Sequence, residues 1–353
     1  MMELRKVQKV GYSTLSISLP QEWTKRMGVK KGDHLLVMEE SDGSLRIIPR
    51  GETSEREEVY LVDVDKCDNI ELLARVIVGN YVLGRSTVRV ESSRRLMREQ
   101  IESVREVTQR LLGFGIIEEG DRHLILQCSV DPKRFPLKTV MRRLYLLTSI
   151  MFKEAVDSLI DRDRDLALDA LTREHETDTI YWLIARLLSS AQQSNLIARE
   201  IGVKDPMEII EDSTIIRFLE LIGDRVNDLA SNVVKLLELE IGDELYERLG
   251  QIALITFTIF DKAVKSIFDE NIKIASDAVD LRETVELEER NIMKEMVDRL
   301  NPETAAILSS LLGDLRIIAE LCSAIAEIAI NNVIRGENDI CRLSDASGAH
   351  LKI

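Results

Sequence analysis

Residues 215–230, IIRFLELIGDRVNDLA, decide the fold together with residues 173–183, REHETDTIYWL. Each stretch carries a Glu-x-x-x-Asp pair, and residues four apart lie on one face of a helix. The pairs are Glu174 with Asp178, and Glu220 with Asp224. Apolar residues at helical spacing share these faces, so the carboxylates interrupt two apolar stripes. We therefore expect long helices whose packed faces carry acids.

The acid pairs allow two interpretations. A buried carboxylate without a partner is costly, and a hard cation bound by oxygen ligands from two facing helices would neutralise all four groups. Alternatively the pairs belong to a solvated acidic face, because a chain with 62 acidic residues in 353 contains many such pairs by chance. Asp228, one turn beyond Asp224, extends the second pair.

The two motifs resemble the paired acidic motifs of PhoU-type phosphate-uptake regulators, and the resemblance covers residues 137–335. It implies two repeated three-helix bundles, at 137–241 and 242–335, with metal sites on the bundle surface. The expected ligands are Glu174, Asp178, Glu220 and Asp224, and the expected cofactor is a divalent or trivalent ion: iron, manganese, magnesium or calcium. The resemblance also implies that the bundles restrain a phosphate transporter, through its ATPase subunit or a related signalling protein.

The second bundle departs from the first. Residues 243–270, 272–300 and 302–334 repeat the order of the first three helices at a period of about one hundred residues. In this repeat Arg290 stands where Asp178 does, and Ala324 where Asp224 does. Glu286 then faces Arg290 at i+4 as a self-neutralising pair, so we expect one metal site, in the first bundle. Asp157 and Asp161 form a third acid pair, at a charged helix end where solvation is the simpler interpretation.

Residues 1–50 predict a small β module. Strands at 3–10 and 13–19 are followed by a short helix after Pro20, and a hairpin crosses residues 41–43. The module carries nine Lys or Arg and six Asp or Glu, a net charge of +3, which leaves −18 for residues 51–353 out of −15 overall. Fifty residues bury little core, so we expect the module to pair with a second copy.

Residues 17–37, ISLPQEWTKRMGVKKGDHLLV, resemble the AbrB/SpoVT-type swapped-hairpin DNA-binding domain. The resemblance implies an interlocked dimeric barrel whose basic residues contact DNA phosphates. A departure is that Gly11-Tyr12 stands where many members have Gly-Arg, so the alternative is a barrel that only dimerises the chain. The candidate DNA-binding residues are Arg5, Lys6, Lys9, Lys25 and Arg26.

Between the module and the bundles, residues 51–57 read as a polar linker and residues 58–130 as a βαβαββ domain. The predicted strands are 58–64, 86–91, 115–118 and 123–128, and the predicted helices are 69–83 and 93–112. The domain carries no nucleotide-binding fingerprint, so its role is that of a scaffold, a small-ligand sensor or a dimerisation element. Residues 336–353 read as a tail.

The whole chain is thus expected to be multidomain and mainly α, with a swapped-hairpin β barrel, an α/β domain and a six-helix pair of bundles. Its composition is 45% hydrophobic and 31% charged, and no signal peptide or ordinary membrane span is predicted, which favours a cytoplasmic protein. The four cysteines and four histidines form no zinc or di-iron motif. Without a nucleophile or phosphate-loop motif, the chain is expected to be a DNA-binding regulator of phosphate uptake and not an enzyme. The alternative is a dimeric adaptor that restrains a phosphate transporter without binding DNA.

Overall fold

A computed structural model describes residues 3–39, 43–49, 58–296 and 300–342. The chain divides into two compact units, unit 1 (Met1–Glu58) and unit 2 (Val59–Ile353). The predicted linker, two of the three predicted hairpin-turn residues (41 and 42) and residues 343–353 of the predicted tail lie outside the described residues.

Unit 1 consists of two separate hairpins and a short helix. Strands β1 (Gln8–Val10) and β2 (Thr14–Ser16) pair antiparallel, α1 spans Gln21–Arg26, and β3 (Leu35–Glu39) pairs with β4 (Leu45–Pro49). The elements are the predicted ones, although the first two strands are shorter than predicted. No described residue of unit 1 is buried, so within one chain this module has no hydrophobic core of its own.

Unit 2 begins with the predicted βαβαββ domain. Its elements are β5 (Val59–Asp63), α2 (Ile70–Val82), β6 (Thr87–Glu91), α3 (Arg98–Arg110), β7 (Phe114–Glu119) and β8 (His123–Cys128). The sheet order is β5-β6-β8-β7, in which β5 and β6 are parallel and the other pairs are antiparallel. Strand side chains and the two helices bury a compact core that includes Tyr81, Val88 and Leu126.

Helix α3 starts five residues later than the predicted 93–112. The segment before it is held in a non-helical conformation, because the Asp65 carboxylate accepts hydrogen bonds from the Ser92 hydroxyl and the Ser93 amide, and the Leu96 amide donates to the Asp121 carbonyl. Long-range bonds therefore overrule the local helical pattern.

The remainder of unit 2 is helical, as predicted. The helices are α4 (Leu137–Asp161), α5 (Arg164–Thr172), α6 (Glu174–Gln193), α7 (Asn195–Glu200), α8 (Pro206–Leu236), α9 (Asp243–Asp269), α10 (Ile272–Met296) and α11 (Pro302–Ile334). The apolar spacing of residues 164–201 predicts a single helix, and the structure divides this segment into three helices, α5, α6 and α7. The Arg173 guanidinium binds the Glu154 carboxylate of α4 through two hydrogen bonds of 2.6 and 2.7 Å at the first break, and the Ser194 hydroxyl caps α7 at the second.

Both predicted bundles contribute to one continuous hydrophobic core. Helix α4 packs against α9, and α8 packs against α11, so the two repeats share these inner helices. Within the described part of the chain, α11 is the one helix long and apolar enough to cross a membrane by length and composition alone. Its Leu308, Leu311 and Leu315 side chains are fully buried in the shared core.

Candidate metal centre and nucleic-acid interface

Helices α6 and α8 bring the four predicted metal ligands together. Gly223 of α8 faces α6, since a Cβ placed on it would lie 4.0 Å from the Thr177 hydroxyl oxygen. Glu174 and Asp178 flank Thr177 on α6, and Glu220 and Asp224 flank Gly223 on α8. We call the surface formed by Glu174, Asp178, Glu220 and Asp224 the acidic groove. Each of its four residues is partly buried.

Burial raises the pKa of every carboxyl in the acidic groove, and repulsion between groove carboxylates raises three of them further. Burial is the main cause for Glu174, and the neighbouring carboxylates of Asp178 and Asp224 raise its pKa further. The pKa of Asp178 is raised by burial and by Asp224, and that of Glu220 is raised by burial and by Asp224. The pKa of Asp224 is also raised by burial, although Arg225 and Arg217 oppose the shift. The acids of both helices therefore repel one another across the groove.

Most of these carboxylates form no ion pair with the described residues. Glu220 is paired with Arg217 at 2.7 Å. Among the described residues, none donates a hydrogen bond to the carboxylates of Glu174, Asp178 or Asp224, and none forms an ion pair with them. Three half-buried oxygen donors thus remain available to a cation.

Arg225 connects the edge of the groove to the second repeat. Its guanidinium lies 3.0 Å from Asp228 and 3.3 Å from the buried Asp314 of α11. The Asn232 amide also donates to Asp314, at 3.1 Å, and to the Ser310 hydroxyl, at 3.0 Å. Asp228, the acid one turn beyond the second pair, is therefore neutralised by Arg225.

Sequence reasoning did not single out Asn227 as a functional residue. Its Oδ1 is buried and has no hydrogen-bond partner. Asn227 follows Asp224 by three residues, so the amide lies on the same side of α8 as the groove. The sequence did contain a sign of it, because Asn227 is a polar residue within the apolar stripe of α8.

The groove is not a preformed coordination sphere. In the described part of the chain, no group of three or more His, Cys, Asp or Glu side chains is arranged to hold a metal ion. The helices bring the donors onto one surface, and convergence on one ion requires rotation of the Glu and Asp side chains.

In the second repeat, arginine side chains form ion pairs with the acidic residues. Arg316 of α11 lies 3.2 Å from Glu289 of α10 and also binds Glu320, which matches Glu220 in the first repeat. The predicted partner of Glu286 was wrong, because its recorded ion pair is with Arg282, at 3.3 Å, and not with Arg290. The Arg316 guanidinium binds one glutamate on α10 and one on its own helix, α11. The spacing of residues along a single helix does not reveal the contact with α10.

The third acid pair is partly neutralised. Asp157 binds Lys153 one turn earlier on α4. Asp161 is the last residue of α4 and is exposed. This arrangement agrees with a solvated helix end.

The five candidate DNA-binding residues are all exposed in unit 1. Lys9 lies on β1, and Lys25 and Arg26 form the last turn of α1. Arg5 is engaged already, since its guanidinium binds the Glu3 carboxylate and lies 3.4 Å from the Ser18 hydroxyl. The other four basic side chains are exposed and form no ion pair with any described residue: Lys6, Lys9, Lys25 and Arg26.

Two known protein families match this chain, one in the first helical repeat and one in the N-terminal β module. Residues 141–233 match the PhoU domain, and residues 8–54 match the antidote-toxin recognition domain MazE, a bacterial antitoxin. The PhoU match includes α6, α8 and all four residues of the acidic groove, so the expected resemblance is confirmed over the first repeat. No curated protein matches the chain significantly.

One of two similar solved structures agrees with this chain in fold. PhoU from Pseudomonas aeruginosa superposes with a TM-score of 0.51 at 20% identity, over 57% of this chain and 96% of that chain. The phosphate transport system regulatory protein PhoU from Streptococcus pneumoniae gives a TM-score of 0.47 at 17% identity, over 55% and 91% of the two chains. At these identities the first likeness shows the fold alone. It confirms the predicted six-helix arrangement.

Proposed function

We propose that this chain is a metal-dependent regulator of phosphate uptake that binds DNA through unit 1. The observation that carries the proposal is the acidic groove, where three half-buried carboxylates from two helices form no ion pair and accept no hydrogen bond from the described residues. Leaving such groups unpaired costs stability, and a bound cation removes that cost. The matches to the PhoU domain and to the MazE domain support the two halves of the proposal.

Glu174, Asp178, Glu220 and Asp224 would hold the metal, and the orphaned Asn227 Oδ1 is an additional oxygen donor. A set of carboxylate and carbonyl oxygens suits a hard ion such as magnesium, calcium, manganese or iron. When bound, the ion supplies positive charge to a surface that is otherwise acidic. Residues 51–353 carry a net charge of −18, so a metal with open positions is what would let this surface bind phosphate.

The DNA contact would come from Lys6, Lys9, Lys25 and Arg26, with Arg5 joining them if it leaves Glu3. Side chains of this type bind the phosphate backbone and make affinity fall steeply as salt rises. Apolar side chains on β1 and β2, such as Val10 and Leu15, are exposed in one chain. A second copy would cover them, so the regulator acts as a homodimer or a larger assembly.

The second candidate function is a dimeric adaptor without DNA binding. The specific observation in its favour is the pairing of Arg5 with Glu3, which removes one of five basic groups from a module whose net charge is only +3. In this version unit 1 dimerises the chain, and the helical repeats dock on the ATPase subunit of a phosphate transporter. Both versions are cytoplasmic and non-enzymatic.

Metal content tests the groove. We expect the purified protein, or the protein reconstituted with Mn²⁺ or Fe²⁺, to retain metal after gel filtration when measured by elemental mass spectrometry. The double variant Glu174→Ala, Glu220→Ala is expected to lose it. The matched control is Glu286→Ala, Glu320→Ala, which removes acids at the corresponding positions of the second repeat. Equal metal in all three proteins, or none in the reconstituted wild type, would reject the groove as the site.

Fluorescence anisotropy with random-sequence duplex DNA separates the two functions. DNA binding at low salt that collapses as salt rises, and that is lost in Lys25→Ala, Arg26→Ala, is expected for the regulator. The control, Arg98→Ala with Arg105→Ala, removes the same charge from the α/β domain. If the wild type binds no duplex at low salt, the adaptor is the function.

A further inference from the structure

Helix α6 has a second functional face, directed at the α/β domain. Trp182, Arg186, Ser190 and Gln193 follow Asp178 along one side of the helix. Trp182 packs against the hydrophobic core of the α/β domain. The Gln193 amide donates to the Leu83 carbonyl at 3.1 Å. The groove and this contact surface therefore lie on the same rigid element.

Arg186 is the centre of this contact. The residue is 6% exposed, and its guanidinium donates to the carbonyls of Tyr81 at 2.7 Å, Arg85 at 3.0 Å and Gly84 at 3.1 Å. It also lies 5.0 Å from the centre of the Tyr81 ring. These carbonyls belong to the end of α2 and the turn after it, where backbone acceptors lack helical partners and a cation interacts favourably with the helix dipole.

The end of α2 fits α6 closely. Gly84 has a φ of +82°, and a Cβ there would lie 2.7 Å from the Ser190 hydroxyl, so only glycine allows this approach. The Tyr81 hydroxyl donates to the Leu112 carbonyl at 3.0 Å, just beyond the end of α3. Arg186 thus joins α6 to the end of α2, and Tyr81 joins the end of α2 to the residue that follows α3.

The same contact reaches the acidic groove. Trp182 is one turn beyond Asp178, and Arg186 is one turn beyond Trp182. Helices α2 and α3 of the same domain both contact α6. The α/β domain therefore packs on the helix that carries Glu174 and Asp178, and a change in the position of α6 alters both surfaces together.

We propose that Arg186 is a positioning residue for the acidic groove, and that through it the α/β domain senses whether the groove holds a metal. The inference rests on the proposed metal binding. The α/β domain also stands between unit 1 and the helices in the chain, since β5 begins at Val59, directly after unit 1.

Hydrogen exchange with mass spectrometry on the full-length protein tests the coupling. The amides of Leu83, Gly84 and Arg85, which donate to backbone carbonyls at the end of α2, report on the contact. We expect Mn²⁺ to slow their exchange several-fold, in a segment that contains no groove residue. In Arg186→Met this response is expected to vanish and Mn²⁺ affinity to fall about tenfold, which is typical of coupling between sites.

Two controls keep the result interpretable. Arg248→Met removes a mostly buried arginine of α9 that binds Glu288 and Glu295, and it is expected to change neither readout. If Arg186→Met does not fold, Tyr81→Phe removes the bond to Leu112 and weakens the same connection. A wild type that binds no Mn²⁺ refutes the proposed function. A wild type that binds Mn²⁺ without any change at residues 83–85, or an Arg186 variant with unchanged affinity, refutes the coupling alone.

Discussion

Single carboxylates set the electrostatics of the acidic groove. Asp178 illustrates this, because burial and Asp224 raise its pKa and no described residue forms an ion pair with it. A carboxyl whose pKa is raised in the folded state stabilises the fold below its unfolded pKa and loses that contribution as pH rises through the folded value. Without metal the groove therefore weakens the protein at neutral pH.

Replacing Asp178 with Asn should stabilise the metal-free protein. We expect the melting temperature in chelator at pH 7 to rise by about 2–4 °C, the change that ~1 kcal/mol produces in a domain of this size. The gain should shrink as pH falls toward the ordinary aspartate pKa of 3.8, where the wild-type carboxyl is neutral too. Thermal unfolding across pH measures both effects. The exposed Asp169→Asn is the control, and an equal gain there would contradict the explanation.

Arg316 gives a second prediction at this scale. Its guanidinium does for Glu289 and Glu320 what a metal would do in the acidic groove. Arg316→Ala should lower the melting temperature by about 2–4 °C, and Mn²⁺ should restore it while the metal content rises by one ion. Arg282→Ala, which leaves Arg316 in place, should gain no metal. The idea fails if the Arg316 variant binds no more metal than the wild type.

At the scale of helices and strands, sequence periodicity predicts which elements form but not how they are interrupted. The 3.6-residue pattern runs through residues 164–201, yet the helix is interrupted at Arg173. The guanidinium of Arg173 binds Glu154 of another helix at this point. Helix α3 is shortened by bonds to Asp65 and Asp121. Each interruption depends on a partner distant in sequence, which one sequence without its contacts does not disclose.

The same limit applies to the site. Spacing made Glu174, Asp178, Glu220 and Asp224 candidate ligands, because two acids on one helix face are visible in the sequence. The partner of Glu286, the Arg225 link to Asp314 and the Arg186 contact all join different elements. These depend on tertiary packing.

The break at Arg173 should matter for stability. Arg173→Ala removes two hydrogen bonds to the mostly buried Glu154 and is expected to cost about 1–3 kcal/mol, since charged groups left unpaired lose more than neutral ones. Chemical denaturation monitored by circular dichroism measures the loss. Arg164→Ala, which removes an exposed contact of 3.7 Å to Glu238, should stay within about 0.5 kcal/mol of the wild type. Equal losses in the two variants would count against a special role for Arg173.

At the scale of the whole molecule, the described residues of unit 1 form no hydrophobic core within one chain. Its two hairpins do not pair with each other, and none of its described side chains is buried. Exposed apolar residues on both strands of the first hairpin include Val10 and Leu15. A second chain would cover them, as the resemblance to a swapped-hairpin barrel implies.

Charge placed on this hairpin should dissociate the assembly. Val10→Asp with Leu15→Asp is expected to reduce the mass measured by light scattering from that of a dimer or larger assembly to that of one chain. Burying an unpaired carboxylate in an interface is unfavourable. Leu254→Asp with Leu146→Asp changes two exposed apolar residues of unit 2 and should leave the mass unchanged. A wild type that is already monomeric would overturn the prediction.

The shared core of the two helical repeats also constrains how this chain could have changed after a duplication. Helices α9 and α11 cover apolar faces of α4 and α8, so deleting the second copy would expose the interior of the first. Residues such as Arg290 and Ala324 can therefore stand at the positions that match Asp178 and Asp224 without the loss of any helix. The second repeat is indispensable here as part of the interior of the first, whatever its surface acids do.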